Sequence, residues 1–346
     1  MTDTTTPTKT GVDELVREEA PVSAPPPPAR EPATSPAPGG APRRDPRKAA
    51  LFRFAISITA LNVVGHLFLG FEQAPIVPIA AVLVAYACSI GLELIDSWAR
   101  GTRPGYAGGP QEMFYFLLPA HIAALACAML IYGQNLGIYL FAVVVAVGSK
   151  YLFRLSVKGR LRHYLNPSNF GICVTLVLMP TVGFVPPYMF LNNTDTFFDW
   201  LIPVIILVAG TLLNSKLTKR MPLIAAWVGG YVAQAVIRDV FFDDNGWAAL
   251  GMMTGVAFVL FTNYMITDPG TTPAEPWRQV VFGLTTAAVY GALIVLGVAY
   301  AIFFALVITC ALRGIALKVG EIRRSRAGSG DRAGSGDRAG VVGARS

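Results

Sequence analysis

The sequence predicts an all-α, polytopic helical membrane protein of about ten transmembrane helices, and three observations lead there. Composition is the first. Of 346 residues, 53% are hydrophobic and only 14% charged, whereas a soluble domain carries about a quarter charged residues. Run length is the second: a mean hydropathy of +0.52 is concentrated in long apolar stretches, many approaching the ~20 residues that cross a bilayer. The third is charge placement. Despite a formal charge of +7, the basic residues fall between the apolar stretches, so they report membrane topology rather than nucleic-acid binding.

Taken in order, residues 1–50 read as a disordered Pro-rich tail without an apolar signal-peptide core, with polyproline character at Pro25–Pro28. It ends in a basic cluster, Arg43, Arg44, Arg47 and Lys48. The membrane domain, 51–320, contains about ten apolar segments: 51–70, 75–95, 113–132, 136–153, 169–189, 197–213, 222–242, 247–264, 279–296 and 299–318. Residues 321–346 read as a second disordered tail, basic and Gly/Ser-rich, with the unit AGSGDR present twice.

The connections between segments alternate in charge. Arg100 and Arg103 occupy the second, Arg154, Lys158, Arg160 and Arg162 the fourth, Lys216, Lys219 and Arg220 the sixth, and Arg278 the eighth. The odd connections carry Glu72, then Gln134 and Asn135, then Asp195, then Asp243 and Asp244, with no basic residue beyond Arg238 at a segment end. The basic-residue bias therefore places both tails in the cytoplasm of a multi-pass cell-membrane protein. Trp98, Tyr151 and Trp277 fall near inner ends and Tyr132, Trp200, Trp247 and Tyr300 near outer ends, as interfacial belts require. Gly251 with Gly255, and Ala120, Ala124 and Ala128, repeat small residues every fourth position, a pattern that allows close helix approach.

The four cysteines, Cys88, Cys127, Cys173 and Cys310, lie singly in apolar segments with no metal-ligand spacing, so they read as small apolar packing residues and no metal site is expected. His66 and His121 are intramembrane ionisable groups and hence functional candidates, although a neighbouring carbonyl can satisfy a lone His. Glu93 and Asp96 close the second segment, where solvation or pairing with Arg100 accounts for them, and Arg238 is expected to snorkel or pair with an acidic neighbour.

Two polar stretches stand out, Tyr164–Gly171 (YLNPSNFG) and Met265–Pro276 (MITDPGTTPAEP). Non-helical polar backbone beside apolar runs must be buried in protein or line a cavity. Asn166-Pro167 reads as an N-cap and first helical residue. Asp268-Pro269-Gly270 reads as a tight turn. The helix start, with Lys150 and Arg154 nearby, suits a phosphate or other anion, while topology and anionic headgroups explain the same charges. Both stretches are expected at one membrane face, packed together as a ligand site. Asn166, Ser168, Asn169, Thr267, Thr271 and Thr272 would supply hydrogen bonds. Lys150 or Arg154 would neutralise an anion, and Asp268 would accept from a ring N–H. The alternative is that Asp268 only caps a turn.

These residues also carry a family resemblance. Lys150, the basic connection, NPSNFG, ITDPGTTP and Phe282-Gly283 resemble the flavin-carrying membrane subunits RnfD and NqrB of ion-pumping electron-transport complexes. Across 51–318, HYLNPSNFGI, LLNSKLTKRMPLIAAW, FTNYMITDPGTTP and CALRG resemble the UnbU-type membrane proteins encoded with enediyne antibiotic pathways. The resemblance implies ten helices in two five-helix halves and a flavin, FMN or riboflavin. The larger subunits attach FMN through a threonine in a small-Gly-Ala-Thr motif, and no Gly-Ala-Thr occurs here. That argues for a non-covalent flavin and against covalent FMN.

Three functions follow: a redox subunit passing electrons to a pathway enzyme, a transporter of a pathway intermediate or product, or a membrane scaffold for pathway enzymes. The expected partners are the lipid bilayer and other redox or biosynthetic proteins, with no nucleic acid. No nucleophile–base–orienter set is recognisable, so no hydrolytic or transferase chemistry is expected.

Overall fold

In the computed structural model, each of the ten apolar segments becomes helical, but not all to membrane-crossing length. The structure describes residues 46–157, 160–179, 181–184, 195–242 and 245–339; the rest of the first tail, Lys158 and Asp243–Asp244 lie outside the described residues. Five long helices are α1 (Pro46–Leu67), α2 (Ile76–Arg100), α3 (Pro110–Leu130), α6 (Thr196–Leu213) and α7 (Met221–Phe241). Two more are α10 (Pro276–Val295) and α11 (Ala301–Ala339). All seven contain stretches long and apolar enough to cross a membrane. The protein is therefore a multi-pass, predominantly helical membrane protein.

Two segments depart from the single uninterrupted runs expected of them. The fourth keeps its expected run as α4 (Leu136–Leu152), 17 residues, but the fifth becomes α5 (Pro167–Leu178), only 12, or about 18 Å of helix. The eighth breaks. It forms α8 (Gly246–Gly251) and α9 (Val256–Leu260), and the two parts of this span meet at 69°. Gly255 at the break is extended, with φ −74° and ψ 144°. A side chain at Gly251 would meet nothing within 4 Å. The Gly251/Gly255 pair is thus a bend rather than the helix-packing face expected from its spacing. Ala120, Ala124 and Ala128 do form such a face, each at most 1% exposed.

Local chemistry explains the boundaries. Asn135, Asn166 and Asn245 cap α4, α5 and α8, each side chain accepting a backbone N–H of its own first turn. Pro110, Pro167 and Pro276 open α3, α5 and α10, where the missing N–H costs nothing. Gly101 ends α2 in the left-handed region at φ 62°. The backbone of α11 stays helical to Ala339, across the AGSGDR repeats expected to be flexible; extending an existing helix avoids the cost of nucleation.

The connections gather at two ends. At one, β1 (Ile131–Tyr132) pairs antiparallel with β4 (Gly183–Phe184), joining the α3–α4 and α5–α6 connections. Gln73 from the α1–α2 connection donates to the Ile131 carbonyl there at 2.8 Å. At the other, the basic connections meet. Arg154 bonds Asp96 at 2.7 Å, Gln279 donates to the Lys219 carbonyl at 3.2 Å, and Arg220 donates to the Pro273 carbonyl. Between the ends, α7 and α10 pack closely around Trp227, Tyr231 and Tyr290. Trp98, Trp277, Trp200 and Trp247 are all exposed, as interfacial aromatics should be.

Candidate functional site

The basic end is built on a β-hairpin and two interrupted helices. After α4, β2 (Arg154–Val157) and β3 (Arg160–His163) form an antiparallel hairpin with Arg154 opposite His163. The chain then turns into α5 at Asn166. The second polar stretch follows a π-helical turn, Phe261–Met265, at the end of the broken segment.

The two stretches touch, through hydrogen bonds that the residue types make available. Asn166 accepts from the Asn169 N–H at 3.1 Å and the Ser168 hydroxyl at 3.0 Å. Its amide donates across to the Met265 carbonyl at 3.0 Å. Asn169 donates to the Phe303 carbonyl of α11 at 2.9 Å. A Cβ on Gly270 would lie 2.8 Å from His163 Nε2, so the hairpin rests directly on the Asp-Pro-Gly turn.

Most of the threonine hydroxyls are consumed inside that turn. Asp268 accepts from the Gly270 N–H at 3.0 Å and the Thr271 hydroxyl at 3.0 Å. Thr272 donates to the Asp268 carbonyl at 2.6 Å, and Thr267 to the Asn263 carbonyl at 2.7 Å. Arg313 of α11 clamps the turn from outside, donating to the Thr271 carbonyl at 2.6 Å. Asp268 therefore does organise a turn, and the buried threonines spend their hydroxyl protons on holding it.

A cavity of about 1960 Å³ opens beside this arrangement, and Lys150, Asn166, Ser168, Asp268 and Thr272 line it. Arg154, Asn169, Thr267 and Thr271 do not line it. Arg154 instead bonds Asp96 and the Lys150 carbonyl and lies 4.3 Å over the Tyr151 ring. It ties the hairpin to α2 and α4.

Four further lining residues carry site chemistry that sequence reasoning left aside: His163, Arg220, Thr309 and Arg313. Arg220 is 6% exposed and Thr309 2% exposed, yet the Arg220 Nε and the Thr309 hydroxyl have no hydrogen-bond partner. Lys150 and Arg162 also line the cavity, and among the described residues neither cationic group takes part in a hydrogen bond or ion pair. Orphaned donors buried at a cationic surface call for an acceptor, since leaving such a group unpaired costs about 1–3 kcal/mol. Burial holds the His163 imidazole below its ordinary value. The cations Lys150, Arg154 and Arg162 act in the same direction, and Asp268 opposes them. The signal that could have marked Arg313 was its place in an otherwise apolar segment.

The remaining polar candidates bond elsewhere, except that His66 Nε2 is buried with no hydrogen-bond partner among the described residues. His121 bridges Thr59 at 2.8 Å and Tyr86 at 2.9 Å. Because Thr59 donates its own proton to the Ala55 carbonyl, His121 Nε2 carries the hydrogen and Nδ1 accepts from Tyr86. His66 Nδ1 donates to the Asn62 carbonyl at 2.9 Å. Asp96 pairs with Arg100 as well as Arg154. Arg238 does not snorkel; it is buried and donates to Gln234 at 2.8 Å. The cysteines are free, three buried and Cys88 half-buried, and among the described residues no three metal-ligating side chains cluster.

These features define a multi-pass helical membrane protein with a cavity lined at its basic end by Lys150, Arg162, Arg220 and Arg313. No protein-family model matches the chain, and no curated protein matches it.

Proposed function

We propose that the protein is a membrane electron-transfer subunit of the RnfD/NqrB-like type, of the UnbU group and serving an enediyne-type pathway. In this reading it holds a non-covalent flavin at the basic end. The carrying observation is the pair of buried donors without a hydrogen-bond partner among the described residues, Arg220 Nε and the Thr309 hydroxyl, which line one cavity together with Lys150. The residues fit such a group: the cations suit the phosphate of FMN, and the aromatic side chains Phe258, Phe261 and Phe282 on the same lining suit a planar ring. A flavin bound there supplies electron transfer. The chain's own residues bind and orient: Lys150 and Arg220 neutralise the anion, and Asn166 and Asp268 hold the two interrupted segments in register.

Lys150→Gln tests this reading, because that ammonium makes no hydrogen bond or ion pair among the described residues and is drawn to Asp268 only through the wider field of the site. Purified wild type is expected to show flavin absorbance in the visible range, and the variant to lose most of it while inserting normally. A wild-type preparation without flavin sinks the proposal. The size of the cavity favours a second reading, a transporter of a pathway intermediate or product, and flux into vesicles by flavin-free protein would select it.

The ten-crossing topology, with two five-helix halves and both termini cytoplasmic, belongs to the same proposal. It is supported by the collection of alternate connections at opposite ends of the bundle. Reporter fusions after Asn193, outside the described residues, and after Lys219 are expected to report opposite sides of the membrane. The same side for both would refute it.

A further inference from the structure

The cavity is much longer than its basic end. Its lining runs along α10 from Trp277 to Ile294 and along α11 from Ala301 to Gly320, which is about 25 Å of helix and close to the ~30 Å hydrocarbon thickness of a bilayer. Its volume of about 1960 Å³ exceeds the 300–1,000 Å³ typical of small-molecule sites. It is also polarised. The charged lining belongs to the basic end, whereas α1 and α3 contribute an apolar wall that includes Phe54, Ile58, Leu61, Ala126 and Met129. A flavin phosphate occupies only part of such a volume, and water gains nothing from an apolar wall.

We infer that the cavity takes an anionic amphiphile, a phosphate- or carboxylate-headed molecule with a long apolar body. Its head lies among Lys150, Arg220 and Arg313, and its body lies along the trough between α1, α3, α10 and α11. The inference rests on the anion-binding reading of the basic end and goes beyond it in the apolar length. Head and body are recognised by separate physics. The head is held by charge and by the orphaned Arg220 Nε and Thr309 hydroxyl; the body is held by removal of apolar surface from competing contacts. A free phosphate satisfies only the first, and a neutral lipid only the second.

The test uses the full chain, stripped of flavin, in phosphatidylcholine nanodiscs, with dioleoyl phosphatidic acid and inorganic phosphate as probes and native mass spectrometry as readout. Phosphatidic acid is expected to be retained at least about tenfold over phosphatidylcholine. Lys150→Gln should erase that preference. Ala126→Phe, which fills the apolar wall away from the basic end, should weaken phosphatidic acid by about tenfold and leave flavin absorbance unchanged. If Ala126→Phe fails to fold, Thr285→Phe on the half-exposed α10 wall serves instead. Retention of phosphatidic acid no better than phosphatidylcholine overturns the inference. So does retention unaffected by the wall variant, or displacement by inorganic phosphate at equal concentration, since the apolar trough would then contribute nothing. Absence of flavin together with selective retention of phosphatidic acid defeats the electron-transfer reading alone.

Discussion

Gly171→Val is expected to unseat α5 from α4 and leave little folded protein. A Cβ at Gly171 would lie 2.8 Å from the Ala146 Cβ, and the Ala142 carbonyl is closer still. Neither can yield: Ala142 and Ala146 are fully buried, and α4 is packed against α2 as well as α5. Overpacking of this kind costs about 1–3 kcal/mol and occasionally more. Here the obstruction is backbone, so a cost of at least about 3 kcal/mol is expected for valine and about half that for alanine. Gly148→Ala is the control. It lies in α4 with nothing within 4 Å of its would-be Cβ, so it should be neutral or gain up to about 1 kcal/mol from helix propensity. Thermal unfolding in detergent ranks the three variants. Equal losses at positions 171 and 148 would show that close approach is not what Gly171 provides.

Asn166→Ala is expected to loosen both polar stretches together. The side chain is simultaneously the N-cap of α5 and a donor to the Met265 carbonyl on the other stretch. Loss of the cap costs about 1 kcal/mol, and the uncompensated buried carbonyl adds about 1–3 kcal/mol. A total of about 2–4 kcal/mol is expected. Asn166→Asp keeps the acceptor for Asn169 and Ser168 but loses the donor, so it should recover the capping part alone. If the alanine and aspartate variants unfold at the same temperature as wild type, the junction contributes no stability and the two stretches are held by something else.

Such distinctions separate what was legible in the sequence from what was not. Hydrophobic run length located every helix of the membrane domain, and Asn166-Pro167 announced its own helix start. What run length cannot see is interruption. Residues 169–189 read as one span, yet α5 stops at Leu178, just ahead of Pro180, and residues preceding proline are driven away from helical angles. Residues 247–264 likewise read as one span, and the bend at Gly255 had looked like a packing motif. The contact between the two polar stretches follows from the need of each to bury its backbone. Which side chains face the cavity does not follow, because hydrogen-bonding capacity is the same whether a threonine serves a ligand or its own turn. Arg220 belongs to the topology signal, since a positive charge near a helix end serves both purposes and only its neighbours tell them apart, whereas Arg313 lies inside an apolar segment and carries no part of that signal.

The π-helical turns bear on how the chain tolerates insertion and deletion. One, Asn214–Thr218, ends α6, and the other, Phe261–Met265, leads into the Asp-Pro-Gly turn. They are fastened to each other by Asn214, whose amide donates to the Asn263 carbonyl at 2.7 Å. A π turn holds one residue more than the α-helical turn it replaces, and one residue corresponds to about 100° of rotation around a helix axis. Loss of a single residue from 214–218 would let the turn relax to an α-helical turn of nearly the same angular span, leaving Lys219 and Arg220 in phase with the Pro273 carbonyl and the cavity, whereas loss of one residue from the regular helix before it would swing them by about 100°. Homologues of this chain should therefore vary freely in length within their tails and tolerate a one-residue gap within either π turn, but keep residue spacing unbroken in the α-helical stretches that lead into them. A one-residue gap within Thr196–Leu213 would mark a lineage whose basic end has been rebuilt.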